Sequence, residues 1–276
     1  MKIPFTKMHG AGNDFVVVDH REPFLPTERR ALIARLCDRR RGVGADGVLL
    51  LERDPELDFA MRYHNADGGI AEFCGNGARC LARFALALGL GRDGEVHFRT
   101  DAGVKRARAT DDGRIALKFG PVQDGETVTL GAIGRTFAGR RVVAGVPHFV
   151  IPVPRLDAVP VAEWAPPLRA HARLGPAGAN VDFVSRLPDG RVAMRTWERG
   201  VEAETLACGS GAMATALWAL LEGASPPVTV HTSGGDDLVV EFVSGPGGRE
   251  ATLIGPAVTV FAGEWELNEA GRAPRA

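Results

Sequence analysis

A chain of 276 residues, 45% hydrophobic and 24% charged, can bury a substantial core without disulfide staples, as one large domain or two ordinary ones. Its net charge of -1 excludes a general polyanion binder, which would carry a basic excess. No apolar run approaches the roughly 20 residues of a membrane span, Met1 to Thr6 contain no apolar signal core, and the few cysteines cannot form a disulfide framework, so a cytoplasmic protein with reduced thiols is expected.

Apolar patterning predicts strands over 15–19, 48–52, 59–64, 96–99 and 115–119, with an amphipathic helix over 27–40. The Arg-rich stretch from Arg35 to Arg41 reads as the solvated last turn of that helix, closed by Gly42. Gly42-Val43-Gly44-Ala45-Asp46-Gly47 matches the dinucleotide-binding phrase, but a helix precedes it and a strand follows, the reverse of the order a nucleotide site needs. A second helix spans 78–90. The proline-rich passage 147–167 reads as edge and connecting structure. Strands are then predicted over 141–144, 181–185, 191–197, 228–232, 238–243 and 251–254, with a helix over 212–221. The helices over 78–90 and 212–221 are apolar nearly all round, the signature of a helix surrounded by protein. The polar end, 264–276, is expected to fray or fold back.

One phrase is written twice. Phe73-Cys74-Gly75-Asn76-Gly77-Ala78 and Ala207-Cys208-Gly209-Ser210-Gly211-Ala212 each lead into one of the apolar helices. Val96 to Gly103 is echoed by Val228 to Gly235, and Ile115 to Val122 by Ala251 to Val258, all at an offset of roughly 132–136 residues. Two similar domains explain this better than chance. The fold predicted is α+β: two pseudo-symmetric domains, each a curved, mostly antiparallel sheet wrapped around a central helix. The limits expected are 1–120 for the half carrying Cys74, 121–262 for the half carrying Cys208, and a tail over 263–276.

A thiol with an ordinary pKa of about 8.5 is lowered toward neutrality at a helix N-terminus, where it can act as acid or base. Backbone amides of Gly75, Asn76, Gly209 and Ser210 occupy the same helix ends and suit a substrate carboxylate. Removing the alpha proton of an amino acid pushes charge onto that carboxylate, so donors placed there stabilise the transition state most. Two thiols and two such turns therefore point to racemase or epimerase chemistry with no cofactor. Cys37 and Cys80 lack the turn and read as buried thiols. No metal is expected, because Cys74 and Cys80 lack the spacing of a zinc pair. Pyridoxal phosphate is not expected either, since no lysine lies in a motif connected with the thiols.

Three segments resemble the diaminopimelate epimerase family: Lys7 to Phe15, Asn65-Ala66-Asp67-Gly68 running on to Cys80, and Glu198-Arg199-Gly200 running on to Ala212. The resemblance implies conversion of LL- to meso-diaminopimelate with Cys74 and Cys208 as the two acid/base residues. It further implies that Gly75, Asn76, Gly209 and Ser210 hold the reacting carboxylate, and that Asn13, Asn65, Asn180 and Arg199 bind the distal amino-acid end. His148 and Glu198 would bias the thiols, with Glu198 also near the substrate amine. A homodimer acting on a small molecule, away from nucleic acid and membrane, is likewise implied. Two positions depart from the family: Val146-Pro147-His148 stands where Asn-Pro-His is frequent, and Gly47 where some members have glutamine, which makes Gly47 a doubtful contact. Both concern the specificity end, so a racemase of another amino acid is the nearest alternative, and an amino-acid-binding or thiol-redox protein the alternative from another class.

Overall fold

The computed structural model describes residues 1–26, 28–245 and 248–266. The chain divides into two compact units, Met1–Ala109 with the segment from Ala257 onward, and Thr110–Pro256.

The first unit opens with a hairpin, β1 (Lys2–Gly10) and β2 (Asn13–Asp19). Its two-residue turn puts both Ala11 and Gly12 at positive φ, 55° and 85°, the twist such hairpins require. Helix α1 (Arg30–Cys37) crosses to β3 (Gly47–Glu52), which lies parallel to β2. Then come β4 (Phe59–Asn65), antiparallel to β3, and the short β5 (Ile70–Ala71). Helix α2 (Gly75–Ala87) leads to β6 (Glu95–Thr100), parallel to β4, and β7 (Gly103–Ala109).

β2 and β3 read as continuous apolar runs because both their faces are covered. Val16, Val18, Val48 and Leu50 pack with Ile33 and Leu36 of α1. On the opposite face, Phe15 and Leu49 meet Gly77 of α2.

The second unit repeats this order. It contains β8 (Ile115–Ala132), β9 (Arg135–Ala144), β10 (Val146–Pro152), α3 (Val161–Arg169) and β11 (Asn180–Arg186). β12 (Val192–Glu198), β13 (Ala203–Thr205), α4 (Gly209–Leu221), β14 (Val228–Thr232), β15 (Asp237–Gly245) and β16 (Gly248–Gly255) follow. Hydrogen bonds run β8–β9–β10–β11–β12–β14–β15–β16 and return from β16 to β8, closing a barrel with no free edge. Helix α4 packs against every strand of that ring, and its residues from Gly211 to Ala219 are all buried. This explains why its sequence is apolar all round. α2, by contrast, buries Arg79 completely among its apolar neighbours.

The fold is thus the α+β one expected, each sheet curving about one helix, with antiparallel pairs outnumbering parallel ones. The units divide elsewhere than at 120 and 262. β8 belongs with the second unit from its first residue because Ile115 to Gly120 pair with β16. The last strand, β17 (Val258–Glu266), belongs with the first because it pairs with β1 along its whole length. Of the expected tail, 263–266 lies in β17 and 267–276 falls outside the described residues.

Three local readings are corrected. The proline-rich passage contains β10 and α3, because Val161, Ala165 and Leu168 form a buried stripe at helical spacing that outweighs Pro166 and Pro167 near the helix end. α1 ends at Cys37. Arg39 is then no mere solvated helix end, since it bridges Asp14 and Asp46, with nitrogen–oxygen distances of 2.7 Å to each.

Candidate active site

Each central helix begins on a cysteine. Cys74 has extended backbone angles and its Sγ accepts the Gly77 N–H at 3.5 Å, making it the N-cap of α2. Cys208 caps α4 in the same way, accepting the Gly211 N–H at 3.4 Å. The duplicated phrase is therefore a duplicated structure. Gly75 and Asn76 in one helix, Gly209 and Ser210 in the other, supply first-turn N–H groups, which an α-helix cannot satisfy from within.

Around Cys74 the side chains form a directed chain. Asp46 accepts the Asn13 amide N–H at 2.6 Å, which turns Asn13 Oδ1 toward the helix end. That oxygen accepts from the Cys74 thiol at 3.6 Å and from Asn76 Nδ2 at 3.4 Å. Asn76 Oδ1 in turn accepts from buried Arg79 at 2.9 Å. Behind Asn13, Asp14 is gripped by Lys7 and Arg39. Burial alone would raise Asp14, but the hydrogen bonds and charges of Arg39 and Lys7 hold it well below the usual carboxylate range. Gly10 lets α2 approach, since a Cβ there would lie 2.9 Å from the Asn76 carbonyl oxygen.

Asn65 is exposed at the end of β4, opposite Gly47 in register. Gly47 is buried, and a Cβ there would lie 2.5 Å from the His64 carbonyl oxygen and 2.7 Å from the Tyr63 ring.

In the second unit, Glu198 at the end of β12 hydrogen-bonds Cys208 and accepts from Thr205 Oγ1. Ser210 Oγ lies 3.4 Å from Cys208 Sγ. His148 is buried with Nδ1 2.7 Å from Asp182 Oδ2, and its Nε2 is 3.4 Å from Asn180 Nδ2. Asn180 Oδ1 accepts the backbone N–H of Arg199 at 2.8 Å. The Arg199 side chain is half-buried, with Nη1 3.5 Å from the Ala177 carbonyl.

Ionisation departs from expectation at Cys208. Its position at a helix N-terminus ought to lower the thiol, yet burial and the nearby carboxylates Glu198 and Asp182 push it well above the ordinary range, against the weaker pull of Ser210 and the Gly211 N–H. Burial likewise raises Glu198, although the Thr205 and Cys208 hydrogen bonds oppose it.

Sequence reading missed Asp182, Thr196 and Thr205 around Cys208, and Asp46, Arg39 and Arg79 around Cys74. Asp182 had one signal: it lies two residues from Asn180 in a strand, hence on the same face. Among the described residues, no group of His, Cys, Asp and Glu side chains is arranged to hold a metal ion, and no helix is long and apolar enough to cross a membrane.

Two units of one design, each a sheet around a helix capped by a cysteine, make up the fold. A hydroxyproline epimerase from Agrobacterium vitis shares it with a TM-score of 0.71 at 18% identity, over 95% of this chain and 92% of that one. The chain belongs to the diaminopimelate epimerase family, whose sequence profile, described as diaminopimelate epimerase, matches residues 5–124 and 141–260. Relatives named diaminopimelate epimerase include one from Aquifex aeolicus, 38% identical over 94% of this chain and 96% of its own length. Another, from Gemmatimonas aurantiaca, is 41% identical over 94% of this chain and 98% of its own length.

Proposed function

We propose that this chain interconverts LL- and meso-diaminopimelate by two-thiol proton transfer without a cofactor. Cys74 and Cys208 exchange the roles of base and acid at opposite faces of one alpha carbon. As the proton leaves, charge grows on the adjacent carboxylate, and first-turn N–H groups of Gly75, Asn76, Gly209 and Ser210 stabilise it there. Asn13, Asn65 and Arg199 take the distal end, whose ammonium and carboxylate suit amide oxygens and a guanidinium fork, and Asn180 fixes the backbone of Arg199. Glu198 and His148 set the protonation of the thiols. Gly47 offers no polar group, so its part is to leave room.

The observation that carries this reading is the second cysteine cap, because an ordinary buried thiol has no reason to recur with the same Gly-x-Gly turn and the same Sγ to N–H bond. Four free cysteines suit work in the reducing cytoplasm. A homodimer completes the reading, and exposed Val260 and Phe261 on β17 leave apolar surface open to such a contact.

The experiment is single replacement of Cys74 and of Cys208 by alanine. Each variant is expected to lose at least about a thousandfold in epimerisation, followed by deuterium uptake from solvent at the alpha carbon, while still binding diaminopimelate in calorimetry. Full turnover by either variant refutes two-thiol catalysis. Rapid exchange in another amino acid with none in diaminopimelate refutes the substrate.

A further inference from the structure

His148, Asn180, Asp182 and Thr196 lie on three neighbouring strands, and all four are buried. Register brings them together: His148 stands opposite Asn180, and Asp182 opposite Thr196. Their hydrogen bonds decide where each proton sits. Asn180 Oδ1 is committed to the Arg199 N–H, so its amide nitrogen is the atom facing His148 Nε2. An amide nitrogen only donates, hence Nε2 carries the lone pair and the ring proton is on Nδ1. Nδ1 points at Asp182 Oδ2, and the other oxygen of Asp182 accepts from Thr196 Oγ1, each at 2.7 Å. Asp182 therefore receives two hydrogen bonds and donates none, the pattern of a carboxylate. On its remaining side it abuts the first turn of α4, where a Cβ on Gly211 would lie 2.7 Å from Asp182 Oδ1.

We propose that Asp182 is a positioning residue of the Cys208 half-site, locking His148 as the neutral Nδ1–H tautomer and holding a fixed negative charge against the helix turn that Cys208 caps. Its catalytic meaning rests on the epimerase reading; the tautomer does not. The groups facing Cys208 are Glu198 from β12 and Asp182 from β11, with Ser210 and the Gly211 N–H from its own helix, and His148 from β10 is bonded to Asp182. With His148 neutral, nothing cationic among these offsets the two carboxylates. Cys208 then rests as the thiol, ready to donate a proton, and Asp182 keeps it so without touching substrate.

The first measurement uses the wild-type protein labelled with nitrogen-15 in histidine. The His148 signals, assigned by their loss in His148→Gln, are expected to be those of a protonated Nδ1 and a bare Nε2 at neutral pH. A protonated Nε2 in the wild type overturns the proposal whatever any variant does. In Asp182→Asn the bare Nε2 signature is expected to fade. Its kcat should fall about 10–100-fold with KM changed less than about threefold, the pattern of lost proton-transfer geometry. With one anion gone, the basic limb of the kcat profile should move to lower pH by about one pH unit. A limb that stays in place overturns the proposal and leaves Asp182 a purely structural role, which a lowered Tm alone would report. Should the wild type fail to epimerise diaminopimelate, the functional reading falls, and the histidine spectrum still decides the part played by Asp182.

Discussion

Gly211→Ala sets two physical effects against each other. Alanine is better than glycine inside a helix by about 1 kcal/mol, so propensity alone makes the variant more stable. The structure reverses that sign. A Cβ at Gly211 would lie 2.7 Å from Asp182 Oδ1, 3.1 Å from Thr196 Oγ1 and 3.3 Å from the Cys208 Cβ. Asp182 has no room to yield, because it is fully buried and held on both oxygens at 2.7 Å. Moving it severs at least one hydrogen bond to a charged acceptor, about 1.5–3 kcal/mol, and the crowding itself costs about 1–3 kcal/mol. After the propensity gain, the net loss is about 1.5–5 kcal/mol. At about 2–4 °C per kcal/mol for a chain of this size, Tm should fall by roughly 3–20 °C in a thermal melt followed by circular dichroism. Epimerisation should fall as well, since Cys208 and Asp182 are displaced together. An unchanged or raised Tm would mean that this turn is looser than the packing described, and the argument about Asp182 would lose its steric support.

Three further outcomes are expected. Burial raises the Glu198 carboxyl from its ordinary 4.5, so the folded state holds this proton more tightly than the unfolded one. Its contribution to stability is present at low pH and lost as pH rises through the raised value, so Glu198→Gln should match the wild type near pH 4 and melt higher than it at pH 7, while losing activity; a melting difference independent of pH would refute this. Cys37 and Cys80 are buried thiols pushed up to about 12, so at pH 8 both should resist iodoacetamide in the folded protein and react once it is unfolded, as read by peptide mass spectrometry. Gly47→Ala should destabilise by about 1–3 kcal/mol in denaturant titration, because its Cβ would press on the His64 carbonyl and the Tyr63 ring; a neutral result would show that β3 and β4 can part without cost.

The two cysteine turns of the candidate site were legible in the sequence. The cysteine caps announced themselves because glycine turns and helix starts are local events, written in adjacent residues. Strands such as β3 and β14 were readable for the same reason: Val48 to Leu51 is a short apolar run, and Val228 to Thr232 alternates buried with half-buried residues. β1 was not, since Lys2, Pro4 and Thr6 dilute its pattern and its strand character comes from pairing with β2 and β17. The same holds for β17, whose partner lies at the other end of the chain.

By itself, the sequence determined the duplication, the central helices, the two capping thiols and the family. Tertiary structure alone decided that Asp182, Thr196 and His148 meet, through strand pairings that join residues 14 and 34 positions apart. It also decided which way the Cys208 thiol is shifted, since a helix end would lower it but burial beside Glu198 and Asp182 raises it. The physical reason is range: turns and caps depend on neighbours in the chain, whereas desolvation and charge depend on what the fold brings close.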